Sequence, residues 1–92
     1  MSELNGVFTG NMKRFRELRG FSQRELAIRI GVSMTFVSHI ETGRKNPSLE
    51  TVEHIGKALG VEPYELFLPN PREKRRVASY LIIKYENLFR NF

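Results

Sequence analysis

Residues 22–43 read SQRELAIRIGVSMTFVSHIETG, and they hold two helix starts with almost no chain between them. Ser22 and Glu25 have capping-box spacing. In that motif the hydroxyl takes the amide three residues on, and the carboxylate reaches back to the serine amide. Leu26, Ala27 and Ile30 form an apolar stripe that stops at Gly31. Glycine adopts positive φ at little cost, so the first helix can end there in a sharp turn. Val32 plugs the turn, and Ser33 caps a second helix with Val37 and Ile40 as its core residues. Gly43 stops that helix. Two helices joined by three or four residues that include a glycine cross at roughly 90–120°. Ala27 is small where they would meet. Any fold for this chain has to be built around that crossing.

The rest of the chain supplies helices to do so. Residues 1–7 show no clear period and read as a loose N-terminal arm. Phe8, Met12 and Phe15 then fall at helical spacing, and Gly20 is a natural stop. After the basic loop Gly43–Pro47, Ser48 caps a fourth helix with the stripe Leu49, Val52, Ile55 and Leu59, ended by Gly60. Pro63 suits the first position of a short fifth helix, and Leu66 and Phe67 close the core. A stiff Pro-Asn-Pro joint at 69–71 leads to a sixth helix, with Asn70 as its cap and Glu73 completing a capping-box pattern. Period-2 alternation is absent, so the expected class is all-α: residues 8–68 as one domain and 69–92 as a C-terminal helix.

Composition narrows the function. The 92 residues suffice for one small domain and contain no cysteine, which excludes disulfides and thiolate metal sites. The longest apolar run, Leu81-Ile82-Ile83, cannot span a bilayer, and no signal-peptide pattern opens the chain. A soluble cytoplasmic protein with no membrane contact is expected. The formal charge is +5, and residues 48–71 carry Lys57 against Glu50, Glu53, Glu62 and Glu65. A basic first half and an acidic middle suit one face turned to a polyanion and another turned away; an ordinary basic surface has the same charge. His39 and His54 lack a ligand cluster, and Glu50 and Glu53 form a solvated face. With no nucleophile, phosphate loop or cofactor motif, neither enzyme, metal nor cofactor is expected.

The stretch RELRGFSQRELAIRIGVSMTFVSHIETGRKNPSLETVEHIGKALGVEPYELF resembles the phage-repressor helix-turn-helix family, the lambda repressor and Cro (XRE) type. The likeness runs from about Phe8 to Phe67. It implies a five-helix lambda-repressor-like DNA-binding domain, to which this chain adds the sixth helix. Small members of the family include phage-type repressors and restriction–modification controller proteins.

The residues agree with that implication. A helix fits the major groove, where base edges can be told apart. Residues 33–42 are the expected recognition helix. Opposite Val37 and Ile40, its face carries Ser33, Met34, Thr35, Ser38 and His39 as candidate base readers. Hydroxyls bond base edges, Met34 and Thr35 suit thymine methyls, and His39 can donate to guanine or phosphate. Phe36 is either a packing residue or a phosphate-side wedge. No Arg, Asn or Gln lies on the early turns, so specificity leans on methyl contacts, DNA shape or Arg44. Candidate phosphate contacts are Thr42, Arg44 and Lys45, with Gln23 at a helix N-terminus that favours an anion. The resembled family uses a glutamine at that position on the DNA backbone. The resemblance also implies an ion pair between Arg16 and Glu41 that orients Arg16 near a phosphate.

In the sixth helix Val77, Leu81, Tyr85 and Leu88 line one side, and Tyr80, Ile83, Phe89 and Phe92 widen it. That stripe can fold back, mask another protein, or self-associate. A twofold dimer would set two recognition helices about 34 Å apart on a palindromic operator. The reading is a homodimeric transcriptional regulator, with double-stranded DNA, a second copy and RNA polymerase as partners. The alternative is a DNA-binding antitoxin whose C-terminal helix holds a toxin protein.

Overall fold

The computed structural model describes residues 2–69. The expected sixth helix and its contacts Val77, Leu81, Tyr85 and Leu88 lie outside the described residues. Within them are four α-helices: α1 (Glu3–Leu18), α2 (Gln23–Ile30), α3 (Met34–Glu41) and α4 (Leu49–Leu59). A 3-10 helix, Pro63–Phe67, follows. The fifth helix of the sequence reading is therefore a single tight turn.

Local chemistry starts and stops the helices. Ser22, Ser33 and Ser48 have extended backbones, and their side chains accept from the amides of Glu25, Phe36 and Thr51. Glu25 completes its capping box on the Ser22 amide. Gly31 takes φ 74°, which a branched residue would resist, and the amide of Val32 returns to the Ala27 carbonyl.

Residues 3–7 correct the expected loose arm. They are the first turns of α1, capped by Ser2, whose hydroxyl accepts from the Asn5 amide at 3.0 Å. The arm is helical because Phe8 and Met12 anchor the helix to the core, and the turns before them propagate from that anchor.

The core comprises Phe8, Met12, Leu26, Ala27, Val37, Ile40, Val52, Ile55, Leu59 and Leu66. Its members come from every helix, so each apolar stripe faces a common centre. Phe36 and Phe67 pack at its edge, half-buried. Leu49 departs from the expected stripe: at the first position of α4 it is 80% exposed, before the helix reaches the core.

One polar contact and one close backbone approach clamp the periphery. Arg19 Nε donates to the Leu59 carbonyl at 2.7 Å, which satisfies one of the open carbonyls at the end of α4. Gly56 lets the turn after α4 close. A Cβ there would stand 3.1 Å from the Val61 carbonyl oxygen and 3.3 Å from the Pro63 backbone. Alanine in a helix interior normally gains about 0.8–1 kcal/mol over glycine. Here that gain meets backbone atoms, and overpacking costs about 1–3 kcal/mol. We expect Gly56→Ala to destabilise the domain by about 1 kcal/mol. A lower urea midpoint would show it, and a higher one would mean that the turn yields freely.

Candidate nucleic-acid interface

The helix α3 is held from behind and open in front. Val37 and Ile40 are fully buried on its inner face. Ser33, Met34 and Thr35 are exposed on the outer side, and Ser38 and His39 are half-buried beside them. The Ser33 oxygen is occupied by the Phe36 amide at 3.0 Å, which leaves its hydroxyl hydrogen to give. The Met34 side chain projects from the first turn of α3 with half its surface in solvent.

The segment after α3 folds back onto it. The amides of Arg44 and Lys45 both donate to the His39 carbonyl, at 2.8 and 3.1 Å. This fixes the bases of two exposed cationic side chains beside the end of α3. The Lys45 ammonium stands 5.5 Å over the Phe36 ring. Phe36 thus packs on the core and also carries a cation on its outer face. Thr42 is less suited to a phosphate than expected. Its hydroxyl donates back to the Ser38 carbonyl at 3.0 Å, so its one hydrogen is already used.

Arg16 is bound to the end of α3 and to the turn before α2. Its Nε donates to Glu41 Oε2 at 2.7 Å and its Nη2 to Glu41 Oε1 at 3.1 Å. Its Nη1 donates to the Phe21 carbonyl at 2.8 Å. The Arg16 and Glu41 side chains are 10% and 3% exposed. Three of the five guanidinium N–H groups are thus bonded inside the protein, one on each nitrogen. The hydrogen bond to Glu41 raises the Arg16 pKa above its already high ordinary value, so it remains a cation.

Sequence reasoning missed a third member of this cluster. Gln23 Nε2 donates to Glu41 Oε1 at 3.1 Å. The carboxylate at the end of α3 therefore gathers α1 and the first residue of α2. Among the described residues no group of three acidic, histidine or cysteine side chains could hold a metal ion. No described helix is long and apolar enough to cross a membrane.

A model of the helix-turn-helix family (HTH_3) matches residues 12–66, which span α2, the Gly31 turn and α3. The chain belongs to this helix-turn-helix family. A relative named "Neisseria hypothetical transcription factor", from Neisseria meningitidis, is 41% identical over 77 residues, covering 84% of this chain and 72% of the relative. The crystal structure of a hypothetical transcription factor, NHTF, from Neisseria superposes with a TM-score of 0.72 at 41% identity, over 82% of this chain and 85% of that one. The control protein C.BamHI of Bacillus amyloliquefaciens is 40% identical over 58 residues, covering 59% of this chain and 72% of that protein. The restriction–modification controller protein C.AhdI of Aeromonas hydrophila superposes with a TM-score of 0.66 at 33% identity, over 68% of this chain and 96% of that one. These family members fit the controller-like resemblance of the sequence.

Proposed function

We propose that this protein is a sequence-specific DNA-binding transcriptional regulator that inserts α3 into the major groove. The observation that carries the reading is the free face of α3. Ser33, Met34 and Thr35 are exposed at its start, uninvolved in the core, while Arg44 and Lys45 flank its end. In this reading Ser33, Met34, Thr35, Ser38 and His39 meet base edges. Arg44, Lys45 and Gln23 meet phosphates and set the register.

The regulator acts as a homodimer on a palindromic operator, joined through Val77, Leu81, Tyr85 and Leu88. Their apolar spacing supports this, as does apolar surface on the described domain. Leu4 and Leu49 are 58% and 80% exposed beside a groove of about 520 Å³ that Phe8, Val52 and Phe67 also line.

Selection from a random duplex library at near-physiological salt tests the whole reading. The expected result is an inverted repeat with half-site centres about 34 Å apart. A single half-site would overturn the dimer, and no enrichment would overturn DNA recognition. On the selected duplex, changing Arg44 and Lys45 together to Ala removes two phosphate contacts. A dimer loses four such contacts, two from each copy, so the slope of log K against log salt should become shallower by roughly 3.6. An unchanged slope would place both side chains off the DNA.

A further inference from the structure

The Arg16–Glu41–Gln23 cluster has more members than an ion pair needs. We infer that Glu41 is a positioning residue for DNA binding. Its carboxylate, neutralised by Arg16, holds the Gln23 side-chain amide in place for a phosphate. This rests on the DNA-binding reading above and assigns a role to a residue that does not itself touch DNA.

The geometry carries the argument. Glu41 is nearly sealed from solvent, with its side chain 3% exposed. Arg16 grips both of its oxygens, so the carboxylate cannot rotate without breaking bonds at 2.7 and 3.1 Å. Oε1 has one further direction of approach, and Gln23 Nε2 fills it at 3.1 Å. A carboxylate only accepts, so the nitrogen of the Gln23 amide must face it. One hydrogen of that nitrogen is bound, which fixes the amide plane and the direction of the second hydrogen.

Gln23 is half-buried and is the first residue of α2, where the backbone amides have no partner within the helix. An anion there meets backbone donors and one pre-set side-chain donor together. Freezing a free glutamine side chain on binding would cost roughly tenfold in affinity. Glu41 imposes that cost during folding, before DNA arrives. Arg16 is thus the counter-ion that allows a buried carboxylate to serve as the anchor, and Gln23 is the contact.

The test is a double-mutant cycle on the selected duplex with full-length Gln23→Ala, Glu41→Asp and the double variant. Aspartate keeps the charge for Arg16 but withdraws the carboxylate by about 1.5 Å, one carbon–carbon bond. In the native background Gln23→Ala should weaken binding about tenfold per half-site and leave the salt slope unchanged, because the glutamine amide carries no charge. In the Glu41→Asp background the same change should cost at most about twofold. Equal losses in both backgrounds would overturn the inference while leaving DNA binding intact. Failure of the unmodified protein to bind any duplex would instead overturn the functional reading.

A DNA-independent readout covers the case in which Glu41→Asp folds poorly. In the native chain one of the two Gln23 side-chain amide protons should exchange with solvent far more slowly than those of an exposed glutamine, and Glu41→Leu should abolish that protection. Gln23 amide protons that exchange in the native chain as fast as those of an exposed glutamine would refute the anchor on their own.

Discussion

Replacing Arg16 with Met should remove about 3 kcal/mol of folding free energy. Breaking one side of a buried ion pair leaves the other charge desolvated and uncompensated, which typically costs about 3–5 kcal/mol. Here the stranded charge is Glu41, whose side chain is 3% exposed at the last residue of α3. The Phe21 carbonyl loses its donor as well. The lower end of the range applies because Gln23 still gives the carboxylate one hydrogen bond. For a small domain with about 5 kcal/mol in total, such a loss takes most of the margin and lowers the melting temperature by roughly 12–24 °C. Thermal unfolding measures it directly, and a fall of under about 1 kcal/mol would mean that water reaches Glu41. The paired variant Arg16→Met with Glu41→Leu separates stability from function. Replacing both charges with apolar groups is often neutral for folding. The double variant should melt close to the unmodified protein yet bind DNA more weakly, because Gln23 has lost its anchor.

What was legible in the sequence was mostly what depends on neighbours within four residues. The caps at Ser22, Ser33 and Ser48 and the turn at Gly31 are decided by contacts that close inside one helical turn. The register of Val37 and Ile40 follows from helical periodicity, and both are fully buried. Contacts between distant residues were not legible in that way. Arg16 and Glu41 lie 25 residues apart, and only resemblance to a family could join them. The bond from Gln23 to Glu41 spans 18 residues and had no pattern to announce it. The bond from Arg16 to the Phe21 carbonyl was hidden for the same reason, because it ends on a backbone atom that no side-chain motif reveals.

The two errors of helix reading have physical causes too. Asn5, Gly6 and Gly10 lower the helix propensity of the N-terminal segment, and tertiary anchoring by Phe8 and Met12 overrides them. Leu49 satisfies the period of α4 but sits at the helix's first position, where the stripe has not yet met another element. Periodicity states which residues share a face and not how far the opposing surface extends.

Asn11 shows how a polar residue on an apolar stripe can be read, and its replacement by Leu should cost about 3 kcal/mol. It lies between Phe8 and Met12 and Phe15 on the inward face of α1 and is 3% exposed. Its Nδ2 donates to the carbonyls of Leu66, at 2.9 Å, and Leu68, and its Oδ1 accepts from Arg14 Nη2 at 3.0 Å. One amide thus ties α1 to the 3-10 turn that lids the core. The turn needs such a tie because it is too short to satisfy its own carbonyls. Leucine has the same branching, though it is bulkier, and it leaves two carbonyls without a donor, at about 1–3 kcal/mol for a buried group. Aspartate is the sharper test. It has the same shape but only acceptors when ionised, and it would point them at two carbonyl oxygens. Arg14 still favours one carboxylate oxygen, but the other is buried against two carbonyl oxygens, and where that repulsion and desolvation prevail the folded-state pKa lies above the unfolded one. The folded protein then binds the proton more tightly, and Asn11→Asp should lose stability as pH rises through the carboxylate range. The unmodified chain should not share that loss in urea titrations run side by side. If Asn11→Asp were instead as stable as the parent at neutral pH, the bonds to Leu66 and Leu68 would not hold the turn, and packing of Leu66 alone would have to close the core.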